Sequence, residues 1–344
     1  MFESSWEQLS IYQQDISRIL INSFKYNKLA HAYIFEGPLG TKRIETAFLL
    51  AKTLLCKDKD ELFNPCGVCH NCKRIDNLTH PNVFYIQAEG EVIKKKQVKE
   101  LLDEFSKSAI EDGPRVYIIN EADRFNQESA NTLLKTMEEP GNEIYQILVT
   151  DQINVLLKTI VSRAQVLHFK PIDKHLIQKD LLQKKVDPLV ASVVSEYTNN
   201  YDAAESIANS SEMVQVIKFV TNLYKSLLEK KQSMVIMFKE NHDLILSKSD
   251  MIDYFLTLMI FYQKDLLNYK LRHLDQIIYN TEESTIEKLS EMISQNTIED
   301  NLDKMLGLKS RLKYNINSQL AFDKMLAHLE RGFNYGVSSR SDSI

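Results

Sequence analysis

The chain has 344 residues, a formal net charge of −5, and no uninterrupted apolar run long enough to span a membrane. This length can bury two or three ordinary hydrophobic cores, and the charge argues against affinity for nucleic acid through a globally basic surface. Glycine and proline are scarce, at 9 and 7 residues, which predicts a helix-rich protein with short connections.

Short β-branched runs alternate with helical periods over the first 170 residues. That alternation is typical of a parallel sheet flanked by helices. The predicted strands are residues 32–35, 83–86, 115–119, 145–150 and 164–169. The predicted helices between them are residues 45–55, 96–106, 127–138 and 155–160.

Beyond residue 170 the strand-like runs stop and helical periodicity continues nearly to the end. We therefore predict an α/β core over residues 1–170, a small helical bundle over 171–210 with a polar turn at 199–202, and longer helices over 211–335. The tail, 336–344, is rich in serine and has no large apolar residue before its last position, so we predict that it is disordered.

Four cysteines, the only ones in the chain, lie close together in its N-terminal quarter, with the spacing C-x9-C-x2-C-x2-C: Cys56, Cys66, Cys69 and Cys72. Thiolates crowded in this way suit a structural, tetrahedral Zn²⁺, because the chain can wrap one ion as it turns. His70 is a competing ligand, but four thiolates leave it no vacancy. The alternatives are four reduced thiols or, in a secreted protein, two disulfides. The first residues lack the basic and apolar regions of a signal peptide, so we expect a cytoplasmic chain.

The turn after the first predicted strand stands where a phosphate-binding loop would read G-x-x-x-x-G-K-[ST]. It reads Gly37-Pro38-Leu39-Gly40-Thr41-Lys42-Arg43-Ile44. The last three positions of the motif thus carry lysine, arginine and isoleucine. Arg43 can attract a phosphate, but it does not replace a compact ammonium, and Ile44 offers no oxygen to Mg²⁺. Gly37, Gly40 and Arg43 are the candidate phosphate contacts of a degenerate site.

A second part of such a site is an apolar strand that ends in acidic residues, and residues 116–123 have this form. Asn120 occupies the first acidic position, so both protein groups that ordinarily hold Mg²⁺ are missing. Glu121 stands where the water-activating carboxylate belongs. The two losses together predict a site that no longer hydrolyses nucleotide.

On these residues the chain resembles the delta-prime subunits of the bacterial DNA polymerase III clamp loader, which are members of the AAA+ superfamily. The resemblance covers about the first half of the chain, and the helical second half matches only in length and character. The matching stretches are residues 31–38, the four-cysteine insert, and residues 80–82, 120–123, 130–135, 138–140 and 160–163.

The resemblance implies three domains: an AAA+ core with an inserted zinc module at about residues 56–72, a helical lid, and a helical collar for oligomerisation. It also implies that Ser162 and Arg163 match a Ser-Arg-Cys motif that supplies an arginine finger to a neighbouring subunit's ATP site, although Ala164 replaces the cysteine. Thr150 matches the sensor position. An active lid commonly carries an arginine near its polar turn, and residues 199–207 contain none.

The expected function is that of a clamp-loader subunit that does not hydrolyse ATP itself and acts in trans through Arg163. The expected partners are the gamma/tau and delta subunits in a hetero-pentameric ring, the sliding clamp, and primed DNA through the complex. No activity of its own is expected, although the holoenzyme is a nucleotidyltransferase. The alternatives are an ATP-hydrolysing gamma/tau-type subunit and a stand-alone, zinc-stabilised DNA-binding or scaffold protein.

Overall fold

A computed structural model describes residues 5–106, 111–138, 141, 143–312 and 317–341, with side chains from 104 to 106 and beyond 333 left out. The chain divides into two compact units, Met1–Asp173 and Lys174–Ile344. A boundary between lid and collar near residue 210 stays a prediction. Residues 336–341 of the tail predicted to be disordered instead continue the last helix; residues 342–344 lie outside the described residues, and their disorder stays a prediction.

The first unit is a five-stranded sheet with helices between its strands. Short 3-10 turns at Ala122–Arg124 and Ile153–Val155 interrupt two of the connections. In chain order the elements are α1 (Trp6–Tyr12), α2 (Gln14–Lys25), β1 (Ala32–Glu36), α3 (Arg43–Leu55), α4 (His70–Asp76), β2 (Val83–Ile86), α5 (Lys95–Ser106), β3 (Arg115–Ile119), α6 (Gln127–Glu138), β4 (Ile144–Thr150), α7 (Lys158–Val161) and β5 (Gln165–His168).

The strand order is β2-β3-β4-β1-β5, and every pairing is parallel. Side chains alternate across β1: Tyr33 and Phe35 enter one buried apolar cluster, and Ala32 and Ile34 enter another. Both faces are therefore covered, as an all-parallel sheet requires. The predicted fold class, a parallel sheet flanked by helices and followed by a helical region, is confirmed. The strand ends of β1, β3 and β4 meet at one edge, where the candidate nucleotide site lies.

The helix predicted over residues 155–160 is wrong. The chain forms the 3-10 turn Ile153–Val155, extends through Leu156 and Leu157, and then forms α7. The extended backbone lets Leu156 pack in the second apolar cluster, where it is only 7% exposed. A continuous helix is therefore interrupted by tertiary packing that the local pattern did not reveal.

The second unit is helical throughout its described residues. Its elements are α8 (Lys174–Gln183), α9 (Pro188–Tyr197), α10 (Tyr201–Asn209), α11 (Ser211–Glu229), α12 (Met234–Glu240), α13 (His242–Leu246), α14 (Ser249–Lys270), α15 (Glu283–Met292), α16 (Gln295–Arg311) and α17 (Ser318–Ser341). Short 3-10 turns lie at Leu274–Gln276 and Asn280–Glu282. Among the described helices of the chain, none is both long and apolar enough to cross a membrane.

The polar turn predicted at residues 199–202 is shorter than expected. The Asn200 side chain accepts a hydrogen bond from the Ala203 amide at 3.1 Å, which makes Asn200 the N-cap of α10. Tyr201 and Asp202 consequently lie in the first turn of that helix.

A buried carboxylate anchors the loop after α14. Asp265, with no exposed surface, accepts hydrogen bonds from the Ile278 amide at 2.9 Å and the Tyr279 amide at 2.7 Å. Tyr279 packs beside Tyr262, which stacks on Tyr224 at 3.9 Å between ring centroids. Burial raises the pKa of Asp265 from 3.8 to about 7, although the two amide donors oppose the rise.

We expect Asp265 to make the stability of the second unit depend on pH. Between its unfolded pKa of 3.8 and its folded pKa of about 7, the folded chain binds more protons at this site than the unfolded chain. The free energy of unfolding therefore decreases as the pH rises through this window, by up to about 1.4 kcal/mol per pH unit. Urea unfolding of Asp265→Asn at pH 5 and pH 7 should lack this decrease.

The matched control is Asp253→Asn, which changes an exposed carboxylate on the same helix that pairs with Lys309 at 3.4 Å. It should keep the pH dependence of the unchanged chain. If Asp265→Asn and the unchanged chain lose the same stability between the two pH values, the carboxylate is ionised throughout and the expected linkage is absent.

Candidate functional site

The loop after β1 contains three residues with positive φ: Gly37, Gly40 and Lys42. A β-carbon on Gly37 would lie 2.4 Å from the Phe169 carbonyl oxygen, so only glycine fits there. Gly40 has a φ of 73°, and Lys42 has a φ of 68° in the left-handed region. Lys42 stands where the motif has its second glycine, and this conformation costs a non-glycine residue about 1–2 kcal/mol. Lys42 therefore adopts a conformation that favours glycine, at the position where the motif has glycine.

The two basic residues of the loop are turned into the protein. Lys42 is 8% exposed and its ammonium lies 3.2 Å from Glu45 Oε1. Arg43, the first residue of α3, is 6% exposed, and burial lowers the pKa of its guanidinium. The negative charges of Asp151, Asp123 and Glu36 oppose this shift, so the guanidinium lies in the field of carboxylates at or just beyond the ends of β4, β3 and β1. Ile44 packs against the first apolar cluster.

The carboxyl ends of β3 and β4 carry the other polar groups of this site. Thr150 Oγ1 donates a hydrogen bond to Asp123 Oδ1 at 2.8 Å. The Asn120 amide donates to the Tyr85 hydroxyl at 3.3 Å. Glu121 adopts a left-handed backbone with a φ of 56°, and its carboxylate pairs with Arg124 at 3.3 Å. Each of these side chains thus has a partner within the protein.

The four cysteines converge as their spacing predicts. Their sulfur atoms all lie within 4.8 Å of one another, and Cys56 and Cys72 are buried. A tetrahedral thiolate site with metal–sulfur bonds of about 2.3 Å needs sulfurs about 3.8 Å apart. Donors of the right chemistry are thus gathered at nearly the required separations, and the residues fit a closed metal site. His70 is exposed and begins α4.

Backbone amides support the sulfur cluster. The Cys66 amide donates to Cys56 Sγ, and the Cys69 amide donates to Cys66 Sγ, both at 3.3 Å. Burial raises the pKa of the Cys72 thiol. Although burial also opposes ionisation of Cys66, amide donors from Val68 and Cys69 lower the pKa of that thiol to about 7. Amides directed at sulfur are the outer contacts that stabilise thiolate ligands.

The segment that carries the cysteines, residues 56–72, is fastened to the rest of the first unit; we call it the cysteine lobe. The Trp6 amide donates to Asn64 Oδ1 at 2.8 Å, and the Trp6 indole donates to the Phe63 carbonyl at 3.1 Å. Phe63 stacks on Phe24 at 5.7 Å between centroids. The Asn71 amide group donates to the Leu55 carbonyl at 2.8 Å. The lobe is therefore anchored in its middle, at Phe63 and Asn64, and near its C-terminal end, at Asn71.

Ser162 and Arg163 lie in the turn between α7 and β5. The Arg163 guanidinium donates to Glu138 Oε1 at 2.9 Å and to the Thr159 carbonyl at 3.0 Å, and its side chain is 36% exposed. Ser162 Oγ donates to the same Thr159 carbonyl at 3.2 Å. Guanidinium groups have five N–H donors, so these two contacts hold the group in place and use only part of its hydrogen-bonding capacity.

The candidate residues form three groups by their contacts: the loop with Arg43, the cysteine lobe, and the turn with Arg163. Sequence reasoning missed Glu138 as the partner of Arg163, because 25 residues separate them and no local pattern connects them. It also missed Asp123 and Asp151 as the acidic neighbours of Arg43. The topological rule that ends of parallel strands share an edge was the available signal for both aspartates.

Comparison with known proteins gives consistent findings. A family model described as DNA polymerase III, delta subunit, matches residues 12–173. The DNA polymerase III subunit delta' of Bacillus subtilis is 31% identical over 328 residues, which cover 95% of this chain and 99% of that protein. The DNA polymerase III subunit tau of Escherichia coli is 32% identical over 169 residues, which cover 49% of this chain and 26% of that protein.

Among solved structures, a DNA polymerase III gamma subunit-related protein from Thermotoga maritima matches with a TM-score of 0.43 and 15% identity. The match covers 91% of this chain and 99% of that one.

Proposed function

The chain belongs to the family of the DNA polymerase III subunit delta', clamp-loader subunits in DNA replication, and from this membership we propose that it acts without hydrolysing ATP. Its role in the assembly is to complete a neighbour's ATP site with Arg163. The partners are other clamp-loader subunits of the gamma/tau and delta types in a five-membered ring that places the sliding clamp on primed DNA.

One observation carries the first part of this proposal: Arg43 is buried among carboxylates at the place where nucleotide would bind. A guanidinium stays ionised even when its pKa is lowered, so its single positive charge offsets part of the negative charge of Asp123, Asp151 and Glu36 in the folded chain. Part of the negative charge at this edge of the sheet is then compensated without Mg²⁺. Since Ile44 packs into the core and Asn120 is neutral, the site offers magnesium neither the usual hydroxyl nor the usual carboxylate.

We expect the purified chain to show no magnesium-dependent ATP turnover. Fluorescent ATP should bind more tightly to a triple variant, Lys42→Gly with Arg43→Lys and Ile44→Thr, because this change restores the residues of the motif and glycine suits the left-handed conformation at position 42. Equilibrium binding with and without magnesium measures the gain. Arg18→Lys, an exposed change on α2 where Arg18 pairs with Asp15 at 3.2 Å, is the control and should leave binding unchanged.

Turnover in the unchanged chain that requires magnesium and disappears in Glu121→Gln would contradict the proposal. Such a result would favour the ATP-hydrolysing gamma/tau type. Trace turnover that is equal in the unchanged chain and in Glu121→Gln indicates a contaminating ATPase. The comparison therefore distinguishes activity of this chain from activity of a contaminant.

The ion in the cysteine lobe is proposed to be Zn²⁺, one per chain, held by Cys56, Cys66, Cys69 and Cys72. Four thiolates saturate a tetrahedral ion, so its role is structural. The support is the sulfur separation, the amide donors to sulfur, and the anchoring of the lobe through Trp6 and Asn71.

Membership of a ring also distinguishes this proposal from a stand-alone scaffold. Gel filtration of the chain with and without gamma/tau and delta subunits is the direct test. Co-elution in one complex supports the ring, whereas an unchanged elution volume in the presence of saturating partners supports a protein that acts alone.

A further inference from the structure

An open groove of about 540 Å³ lies between α16 and α17 in the second unit. Its floor is apolar: Leu308, Met325 and Leu329 are 4%, 8% and 1% exposed. Leu320 stands at its margin with 52% of its surface exposed. A concave apolar surface of this size is the usual form of a binding site.

The rim of this groove is basic. Lys304, Arg311 and Lys324 line it, and none of its lining residues in the described structure is acidic. Lys304 pairs with Asp300 at 2.6 Å. Arg311 and Lys324 have no carboxylate within ion-pair distance among the residues that the structure describes. The two uncompensated cations favour an occupant with negative charges beside its apolar face.

One polar side chain on the lining has no partner. Asn301 is 1% exposed, and neither its amide nitrogen nor its carbonyl oxygen has a hydrogen-bond partner within the structure. Leaving such a buried group unsatisfied costs about 1–3 kcal/mol, and leucine of similar size would avoid that cost. An asparagine that lowers stability at this position of an apolar groove is suited to hydrogen-bond with a partner that enters the groove.

The length of the groove favours a helix as its occupant. Its lining residues form one stripe along α16 from Asn301 to Arg311 and another along α17 from Asn317 to Leu329. At 1.5 Å per residue these stripes are about 15 and 18 Å long, which matches a helix of ten to twelve residues. An amphipathic helix laid between two others uses the usual packing of helix ridges into grooves.

We propose that the groove between α16 and α17 binds an acidic amphipathic helix of a partner protein. The apolar stripe of that helix lies on Leu308, Met325 and Leu329, and its carboxylates flank Arg311 and Lys324. A polar side chain at one end of the stripe hydrogen-bonds with Asn301. The inference does not depend on the nucleotide site or on Arg163.

The test uses the full chain and fluorescein-labelled twelve-residue peptides that carry a helical leucine stripe with glutamine at one end. One peptide has glutamates beside the stripe and the other has lysines. In fluorescence anisotropy the acidic peptide should bind about tenfold more tightly than the basic one. Arg311→Glu with Lys324→Glu should reverse this preference. The matched control, Lys218→Glu with Lys288→Glu, changes two exposed lysines of the same unit and should keep it.

Asn301→Leu separates a binding role from a structural one. It should raise the Tm by about 2–4 °C, because an unsatisfied buried amide is removed. It should also shift the preference from the acidic peptide that contains glutamine toward one with leucine in place of that glutamine. Equal affinity for acidic and basic peptides, an unchanged preference in the Arg311/Lys324 variant, or self-association of the chain that blocks the peptides would each overturn the proposal.

Discussion

A ring assembled with the Arg163→Ala chain is expected to form normally but to hydrolyse ATP and load clamps more slowly. An arginine finger supplied in trans is worth about 10³–10⁵ in rate at the site that receives it. The loss in steady-state ATPase of the whole ring should be smaller, since the other interfaces keep their own fingers. Single-turnover hydrolysis at the neighbouring site, measured with clamp and primed DNA present, should show the full effect.

Two further variants test whether the guanidinium of Arg163 is the group that raises the rate. Arg163→Lys should restore only part of the rate, because an ammonium lacks the planar fork that a guanidinium offers to phosphate. Arg124→Ala removes another arginine of the first unit, one that pairs with Glu121, and should leave the assembled rate unchanged. If the Arg163→Ala ring loads clamps at the normal rate with all partners saturating, the assignment of the finger is wrong.

Removal of the metal is expected to have the largest effect on stability. Freshly purified protein should contain one zinc per chain by elemental analysis, and Cys72→Ser should contain far less. Structural zinc supplies about 10–16 kcal/mol of binding free energy in small zinc-finger peptides, so its loss should open the cysteine lobe. The second unit, which has its own core, should keep its helical circular dichroism.

His70→Ala is the matched control, because it removes a possible ligand that a set of four thiolates does not need. It should retain a full equivalent of zinc. Substoichiometric metal together with four freely titrating thiols in the unchanged protein would exclude the site, and two disulfides found by mass spectrometry would support the oxidised alternative.

The parallel sheet could be predicted from the sequence because most strands are compact runs of β-branched, aromatic or other apolar residues with helical periods between them. Residues 83–86 and 115–119 were predicted with the bounds that the structure has. The clustering of the four cysteines could also be predicted from the sequence, because their short spacing brings the four sulfur atoms together. In both cases the information is local, so neighbouring residues are enough to specify the feature.

Features that depend on distant residues could not be predicted. The break before α7 follows from the burial of Leu156 against other elements, and the contact of Arg163 with Glu138 follows from how α6 and α7 are packed. The left-handed conformation of Lys42 could not be predicted from the sequence either, because lysine disfavours this conformation and only the surrounding turn imposes it. Motif comparison located the loop but could not show that Arg43 is buried among carboxylates.

The attachment of Trp6 to the cysteine lobe gives the protein an intrinsic optical reporter. The chain contains a single tryptophan, fully buried, and its indole and amide bond directly to Phe63 and Asn64, just ahead of Cys66. Indole emission responds to the polarity around the ring, so opening of the lobe should shift it to longer wavelength. A chelator titration can then be followed in real time, on unlabelled protein, inside an assembled ring whose other subunits lack tryptophan.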